Sequence, residues 1–320
     1  MTARFSLCPA MVAGQKGNDM RMAGVLLSIS AGCVLFALES KAETEIVGGV
    51  QWTYMTTKKG AVVGAGSWYA SAIDSTIQGK IVVPETLGGF PVVAIGDGAF
   101  YQCAGLTEVT LPVSVTELGT QAFYHCDSLK SLIFLGDEPS VGYTCFTYSP
   151  DIIAYHSRER MWQTEFKGEW GTVTIMVVDG LNSVSEIIEQ KTFDGQYSLL
   201  AIPHSWVDAF PKTLQSVDGD YALAVKTIGE NGCTVADSYI AGLDPTDSAS
   251  TFKTKIEFKN GKPIVTWEPA LNGKDENGHC KKTGVRTYRV LGSTDLKTWS
   301  EVNDGEELKY NFFKVNVEMP

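Results

Sequence analysis

The sequence predicts a mixed α/β but β-rich fold: a short solenoid of stacked coils, then a small helical segment, then a β-sandwich-like domain. Three observations predict it. Ile95, Gly96, Ala99, Phe100, Tyr101, Cys103, Leu106, Val109 and Leu111 recur as Leu118, Gly119, Ala122, Phe123, Tyr124, Cys126, Leu129, Leu132 and Phe134, at a constant offset of 23. Past about Leu181 that pattern stops, and short runs bounded by Ser, Asp, Thr, Gly and Pro replace it. From Thr251 the residues alternate with the two-residue period of strands around an Asn260-Gly261 pair, which favours a tight hairpin turn.

The repeat is the most informative element. A period of this length with apolar residues at L..V.L spacing marks stacked units, each giving one strand and one turn, and none able to bury its apolar face alone. Leu106, Val109 and Leu111 are therefore expected to point inward, with Leu129, Leu132 and Phe134 one coil on. Ala99 and Phe100, then Ala122 and Phe123, close the opposite wall, with Phe100 stacked on Phe123. Strand alternation sends Glu108, Thr110, Ser131 and Ile133 outward. Gly96 and Gly119 are expected at the wall-to-wall turn, where positive φ is tolerated. A decayed third copy at Val141, Gly142, Cys145, Phe146, Ile152 and Tyr155 is read as a C-terminal cap. An earlier strand is expected at Lys80 to Pro84, ahead of extra residues around Gly88 to Val92.

These residues resemble the BspA-like leucine-rich repeat family, whose unit looks like IG..AF..C..L..V.IP..V; the match runs from about Val83 to Phe146. The resemblance implies a thiol at the same ladder position in each coil. Five cysteines follow the leader: Cys103, Cys126, Cys145, Cys233 and Cys280. Adjacent coils would bring Cys103 and Cys126 to strand spacing, close enough for a disulfide, whereas a buried thiol is also simply a small hydrophobe. Reduced, dispensable cysteines are expected.

Residues 1–42 read as a signal peptide, with Arg21 before the apolar run Ala23 to Leu38 and small residues at Ser40 to Ala42; translation could also start at Met20 or Met22. No other stretch is apolar enough for a membrane helix. The expected organisation continues with an N-terminal cap and first strand over 43–94, repeats with their cap over 95–180, linker and short helices over 181–251, and the β-sandwich-like domain over 252–320. The formal net charge is -11 and becomes more negative without the leader, so nucleic acid is a poor partner.

In the tail, residues 203–211, 218–232 and 234–247 read as three short helices. Ser205, Asp220 and Thr234 are candidate caps, and Pro211, Gly229 or Gly232, and Gly242 candidate stops. Strands are expected in 251–269, 286–302 and 310–319. The spacing SY.AGLDPTD, W.P, Y.V.GSTDL..W, FFKV over Ser205 to Met319 resembles a C-terminal module of many bacterial exported proteins. The run at Asp237 to Asp247 is also similar to the end of dockerin and thrombospondin calcium repeats, but the acidic loop those need is missing, so Asp237, Asp244 and Asp247 are read without a metal. Asp244 and Asp247 fit turns around Pro245.

No catalytic motif stands out. GAGSWY at Gly64 to Tyr69 lacks the third glycine of a dinucleotide loop, and no G-x-S-x-G or H-E-x-x-H occurs. His125, His156, His204 and His279 are scattered. No enzyme, cofactor or metal is expected. The expected function is an exported, non-enzymatic interaction protein, secreted or at the cell surface, that binds a protein or glycan ligand. The candidate surface is the outward strand row Val82, Thr110, Ile133 and His156, with Lys80, Glu108, Ser131 and Ala154 beside it. Tyr101 and Tyr124 form a second candidate patch on the turn face. A structural role in the cell envelope, assembled through the tail, is the second reading, and polysaccharide hydrolysis the third.

Overall fold

The computed structural model describes residues 41–67, 69–162, 173–191, 196–259, 262–270, 287–302, 310 and 312–318. The expected leader through residue 40, the Asn260-Gly261 turn, Cys280 and His279 lie outside the described residues.

An antiparallel meander of β1 (Glu43–Val47), β2 (Val50–Thr56) and β3 (Ala61–Val63) caps the start, with Trp52 fully buried against Phe100. Next come β4 (Gly79–Val82) and a hairpin of β5 (Thr86–Leu87) with β6 (Phe90–Ile95), turning at Gly88 and Gly89, both at positive φ. This hairpin holds the extra residues noted in the sequence. The repeats then supply β7 (Leu106–Leu111), β8 (Glu117–Leu118), β9 (Ser131–Phe134), β10 (Ser140–Val141), β11 (Ile153–Ser157) and β12 (Thr174–Asp179). Of these, β7, β9, β11 and β12 add in parallel beyond β4, while β8 and β10 extend β3 and β6 in parallel. The result is a two-walled solenoid.

Between the walls lies one core. Leu106, Val109, Leu111, Leu129, Leu132 and Phe134 all enter it, as do Ala99, Phe100, Ala122 and Phe123. Phe100, Phe123 and Phe146 stack with ring centroids 5.0 Å and 5.7 Å apart, following the coil-to-coil step. Cys103, Cys126 and Cys145 are free and buried in the same core. Burial pushes the Cys145 thiol up to about 12 and the Cys126 thiol up strongly too, which keeps both protonated and inert.

The role of the repeat glycines differs from the expectation. Gly96 and Gly119 are not at positive φ; that conformation recurs instead at Gly98, Gln121 and Thr144, and at Gln102, His125 and Tyr148. What Gly119 provides is closeness, since a Cβ there would sit 2.6 Å from the Gly96 carbonyl carbon, with Gly142 meeting Gly119 in the same way. Gly119→Ala should therefore force two coils apart and cost about 2 to 3 kcal/mol by denaturant titration, as over-packing against backbone does. A cost near zero would show that the coils are not in this contact.

The ladder does not end at residue 180. A hairpin of β13 (Ser185–Lys191) and β14 (Tyr197–Pro203) joins it, β14 pairing in parallel with β12, so the segment expected as linker first completes a seven-stranded sheet. Both faces of the hairpin are apolar. Ile187, Leu199 and Ala201 pack toward Ile133, Leu135, Val178 and Leu181, whereas Ile188 and Ile202 pack on the helices.

Four short helices follow: α1 (His204–Asp208), α2 (Pro211–Gln215), α3 (Tyr221–Ala224) and α4 (Val235–Ala241). Asp220 and Thr234 cap α3 and α4 through their side chains, and Gly242 ends α4 at φ 70. Ser205 is not a cap, because α1 starts from Pro203, and Pro211 opens α2 instead of stopping α1, its fixed φ suiting a first helical position. Asp237 accepts from Thr234, Asp244 from Thr246, and Asp247 from Ala249, all of them local cap or turn bonds. The chain closes with β15 (Lys253–Lys259) paired to β16 (Lys262–Glu268), and β17 (Thr287–Ser293) between β18 (Ser300–Glu301) and β19 (Phe312–Glu318). Val265, Trp267, Tyr288, Val290 and Val302 form the core that the two small sheets share.

Candidate recognition surface

All of the expected outward row but Val82 is covered. Thr110, Ile133 and His156 are only 3%, 2% and 7% exposed, while Val82 on the terminal strand stays open at 46%. The strand phase is as the alternation requires: Val109 and Leu132 face the solenoid core and Thr110 pairs with Ile133 on the other side. That other side is itself an interior. The seven-stranded sheet curls until its two terminal strands meet, Lys80 of β4 reaching Glu186 of β13 at 3.2 Å and Glu108 of β7 at 3.4 Å.

His156 leaves the row for a second reason. Tyr155, not His156, stands opposite Ile133, and Ile153, not Ala154, opposite Ser131. A one-residue change of offset moves every side chain to the other face. Tyr155 thus joins Ile133, and His156 lies beside Phe134's level, stacked on Trp162 at 4.4 Å with Nδ1 3.0 Å from the Ser157 carbonyl. Burial lowers the His156 pKa.

Where the sheet closes, Lys80, Glu108, Glu186 and His204 form a cluster; Glu186 Oε1 is 3.1 Å from His204 Nε2, and Tyr221 stacks on the imidazole. Burial raises the Glu108 pKa more than Lys80 lowers it. At Glu186 burial also works upward, but the His204 hydrogen bond and the Lys80 charge outweigh it and hold the carboxyl below its ordinary value. Glu186 therefore contributes stability that is fully present above pH 4.5 and is lost as pH falls through its lower folded value, whereas Glu108 loses stability as pH rises above 4.5. Glu186→Gln should cost about 2 kcal/mol at neutral pH and little in acid below the folded pKa, whereas Glu108→Gln should be neutral or slightly stabilising at neutral pH. Unfolding titrations at the two pH values check both signs.

The turn face is different, and the backbone explains it. Gly98, Phe100 and Gln102 donate to Thr120, Ala122 and Tyr124, and Gln121, Phe123 and His125 donate to Tyr143, Cys145 and Thr147. These bonds tie each turn to the next coil as a strand ladder would. Tyr101 and Tyr124 are consequently held in register, their rings 5.3 Å apart and 2° from parallel. Tyr69 meets Tyr101 edge-on at 5.7 Å, Tyr148 meets Tyr124 edge-on at 5.3 Å, and His125 stacks on Tyr148 at 4.7 Å. Tyr101 and Tyr124 are half-buried, whereas Tyr69 is 75% and Tyr148 65% exposed. His125 Nδ1 lies 3.3 Å from Asp127. Desolvation, helped by the neighbouring phenols, raises the Tyr124 pKa, so its hydroxyl remains a donor.

Of the residues expected at a binding surface, the structure thus gathers Tyr101 and Tyr124, places Glu108 and Ser131 half-buried on the closing sheet, covers Thr110, Ile133 and His156, and leaves Val82 open. Tyr69, His125 and Tyr148 were not among them. Tyr148 is legible as His125 plus the 23-residue offset, but Tyr69 precedes the repeats and carries no such signal. Among the described residues no group of His, Cys, Asp and Glu is arranged to hold a metal, and no helix is long and apolar enough to cross a membrane.

Compared with protein families, residues 80–199 match the BspA type leucine rich repeat region, in 6 copies. No curated protein matches. A crystal structure of a leucine rich cell surface protein from Faecalibacterium prausnitzii is similar at 15% identity and a TM-score of 0.18, covering 50% of this chain and 62% of that one.

Proposed function

We propose that the chain is an exported, non-enzymatic recognition protein that binds its ligand through the turn face of the repeats. The observation that carries this reading is the aromatic row Tyr69, Tyr101, Tyr124 and Tyr148, exposed at its two ends and half-buried between, with intercoil hydrogen bonds keeping the Tyr101 and Tyr124 coils in register. Pre-organised aromatic rings give large contact area at small entropic cost, which is why they dominate binding energetics. The signal-peptide character of residues 1–42 supports export, and the similarity of residues 80–199 to the BspA type repeat supports a surface interaction role.

Retention of the purified chain on native extracellular material should fall at least about tenfold in Tyr101→Ala/Tyr124→Ala, a loss of about 1.4 kcal/mol, with far-UV circular dichroism unchanged. Undiminished retention of that folded variant would remove the row from the function.

A second reading, assembly in the cell envelope through the tail, is supported by β15, where Ile256 and Phe258 are exposed, Phe258 at 72%. A strand with open apolar residues is a template for pairing with another chain. Phe258→Glu should abolish any self-association seen by sedimentation; association that survives the change would sink this reading.

A further inference from the structure

The ligand class can be taken further, on the reading that the turn face binds. Two features of the row call for more than a structural explanation. First, His125 and Tyr148 sit at φ 55 and 60. The repeat imposes that conformation at this turn position in each coil, with Gln102 the third example, and glycine or asparagine would adopt it with less strain. Bulky rings at strained positions point to a use for the side chains. Second, the turn stretches 98–105, 120–127 and 143–150 contain no Lys or Arg, and Asp127 is their one acidic residue. Their outward chemistry is phenol, imidazole, amide and hydroxyl, with the one carboxylate of Asp127.

We infer that the row Tyr69, Tyr101, Tyr124 and Tyr148 binds an extended neutral glycan chain. A surface without cations offers nothing to sulfate, phosphate or uronate groups, so acidic polymers do not fit it. An extended peptide repeats its side chains on one face at about 6.6 Å, and a polyproline helix repeats at about 9 Å. Neighbouring ring centroids in the row lie 5.3 to 5.7 Å apart, closer than either repeat. A pyranose ring is comparable in size to that ring-to-ring separation. It carries an apolar C–H face for an aromatic ring and a rim of neutral hydroxyls for phenols and amides.

The ring orientations divide the work. Tyr101 and Tyr124 cover each other's faces and so present edges and hydroxyls, which suits hydrogen bonding to sugar hydroxyls. Tyr69 and Tyr148, the most exposed rings at the two ends, are the places for a sugar face to stack.

Affinity electrophoresis of the full chain in gels containing soluble β-glucan, mannan or galactan tests this, beside capture on immobilised ovalbumin before and after deglycosylation. The expected result is retardation by at least one neutral polysaccharide, unchanged by added salt and lost by about tenfold in Tyr69→Ala/Tyr148→Ala. Tyr148→Phe, which keeps the ring, should retain it. Retardation by none of the polysaccharides overturns the glycan assignment, and so does retardation that the alanine pair leaves intact. Capture that survives deglycosylation yet is lost in the alanine pair would assign the row to protein, refuting the glycan while leaving the recognition role standing. If the alanine pair and Tyr101→Ala/Tyr124→Ala change nothing in these assays or in retention on extracellular material, both readings fall together.

Discussion

Ile133→Glu should unfold or severely destabilise the repeats, by about 4 kcal/mol or more. Ile133 points away from the solenoid core, and an ordinary outward strand residue would tolerate the change. Here Leu135, Val178, Leu181 and Ala201 enclose it, and a carboxylate would be stranded without a partner. Such a loss lowers the melting temperature of a chain this size by roughly 10 °C. The same row supplies the control. Val82→Glu, at an open position on the terminal strand, should shift stability by no more than about 0.5 kcal/mol. If Ile133→Glu melts like wild type, the sheet does not close over its own face.

Phe123→Ala is the second large effect, at about 3 to 5 kcal/mol. The ring is fully buried and is sandwiched between Phe100 and Phe146, so its loss opens a cavity in the middle of three coils that are already close-packed. The urea midpoint should fall with the slope unchanged, because the surface exposed on unfolding stays the same. A small effect would mean that the coils are not stacked in the register of the 23-residue repeat.

That register was readable because identical residues recur: AFY.C..L twice over places Phe100 on Phe123 and sets the strands that follow side by side without any long-range knowledge, as Val109 opposite Leu132 illustrates. The third strand was not readable to the residue. Ile153, Ala154 and Tyr155 are apolar enough to fit either phase, so the one-residue shift that exchanges His156 for Tyr155 leaves no mark in the pattern. Closure of the sheet was also hidden. It depends on Lys80 meeting Glu186, 106 residues away, and on a hairpin whose adjacent Ile187 and Ile188 serve two different cores. Local periodicity says that such a strand is buried on both faces but not against what. The aromatic site was half legible for the same reason: Tyr101 and Tyr124 belong to the repeat, whereas Tyr69 reaches them from the cap.

The protein presents its turn-face rings and conceals the outward face of its curled strand ladder. Residue-resolved hydroxyl-radical footprinting tests this arrangement most directly, after correction for intrinsic reactivity. Rapid oxidation of Tyr69 and Tyr148 is expected, with strong protection of Ile133, Val178 and Leu181. Fast oxidation of Ile133 and Val178 together with protected Tyr69 and Tyr148 would contradict it.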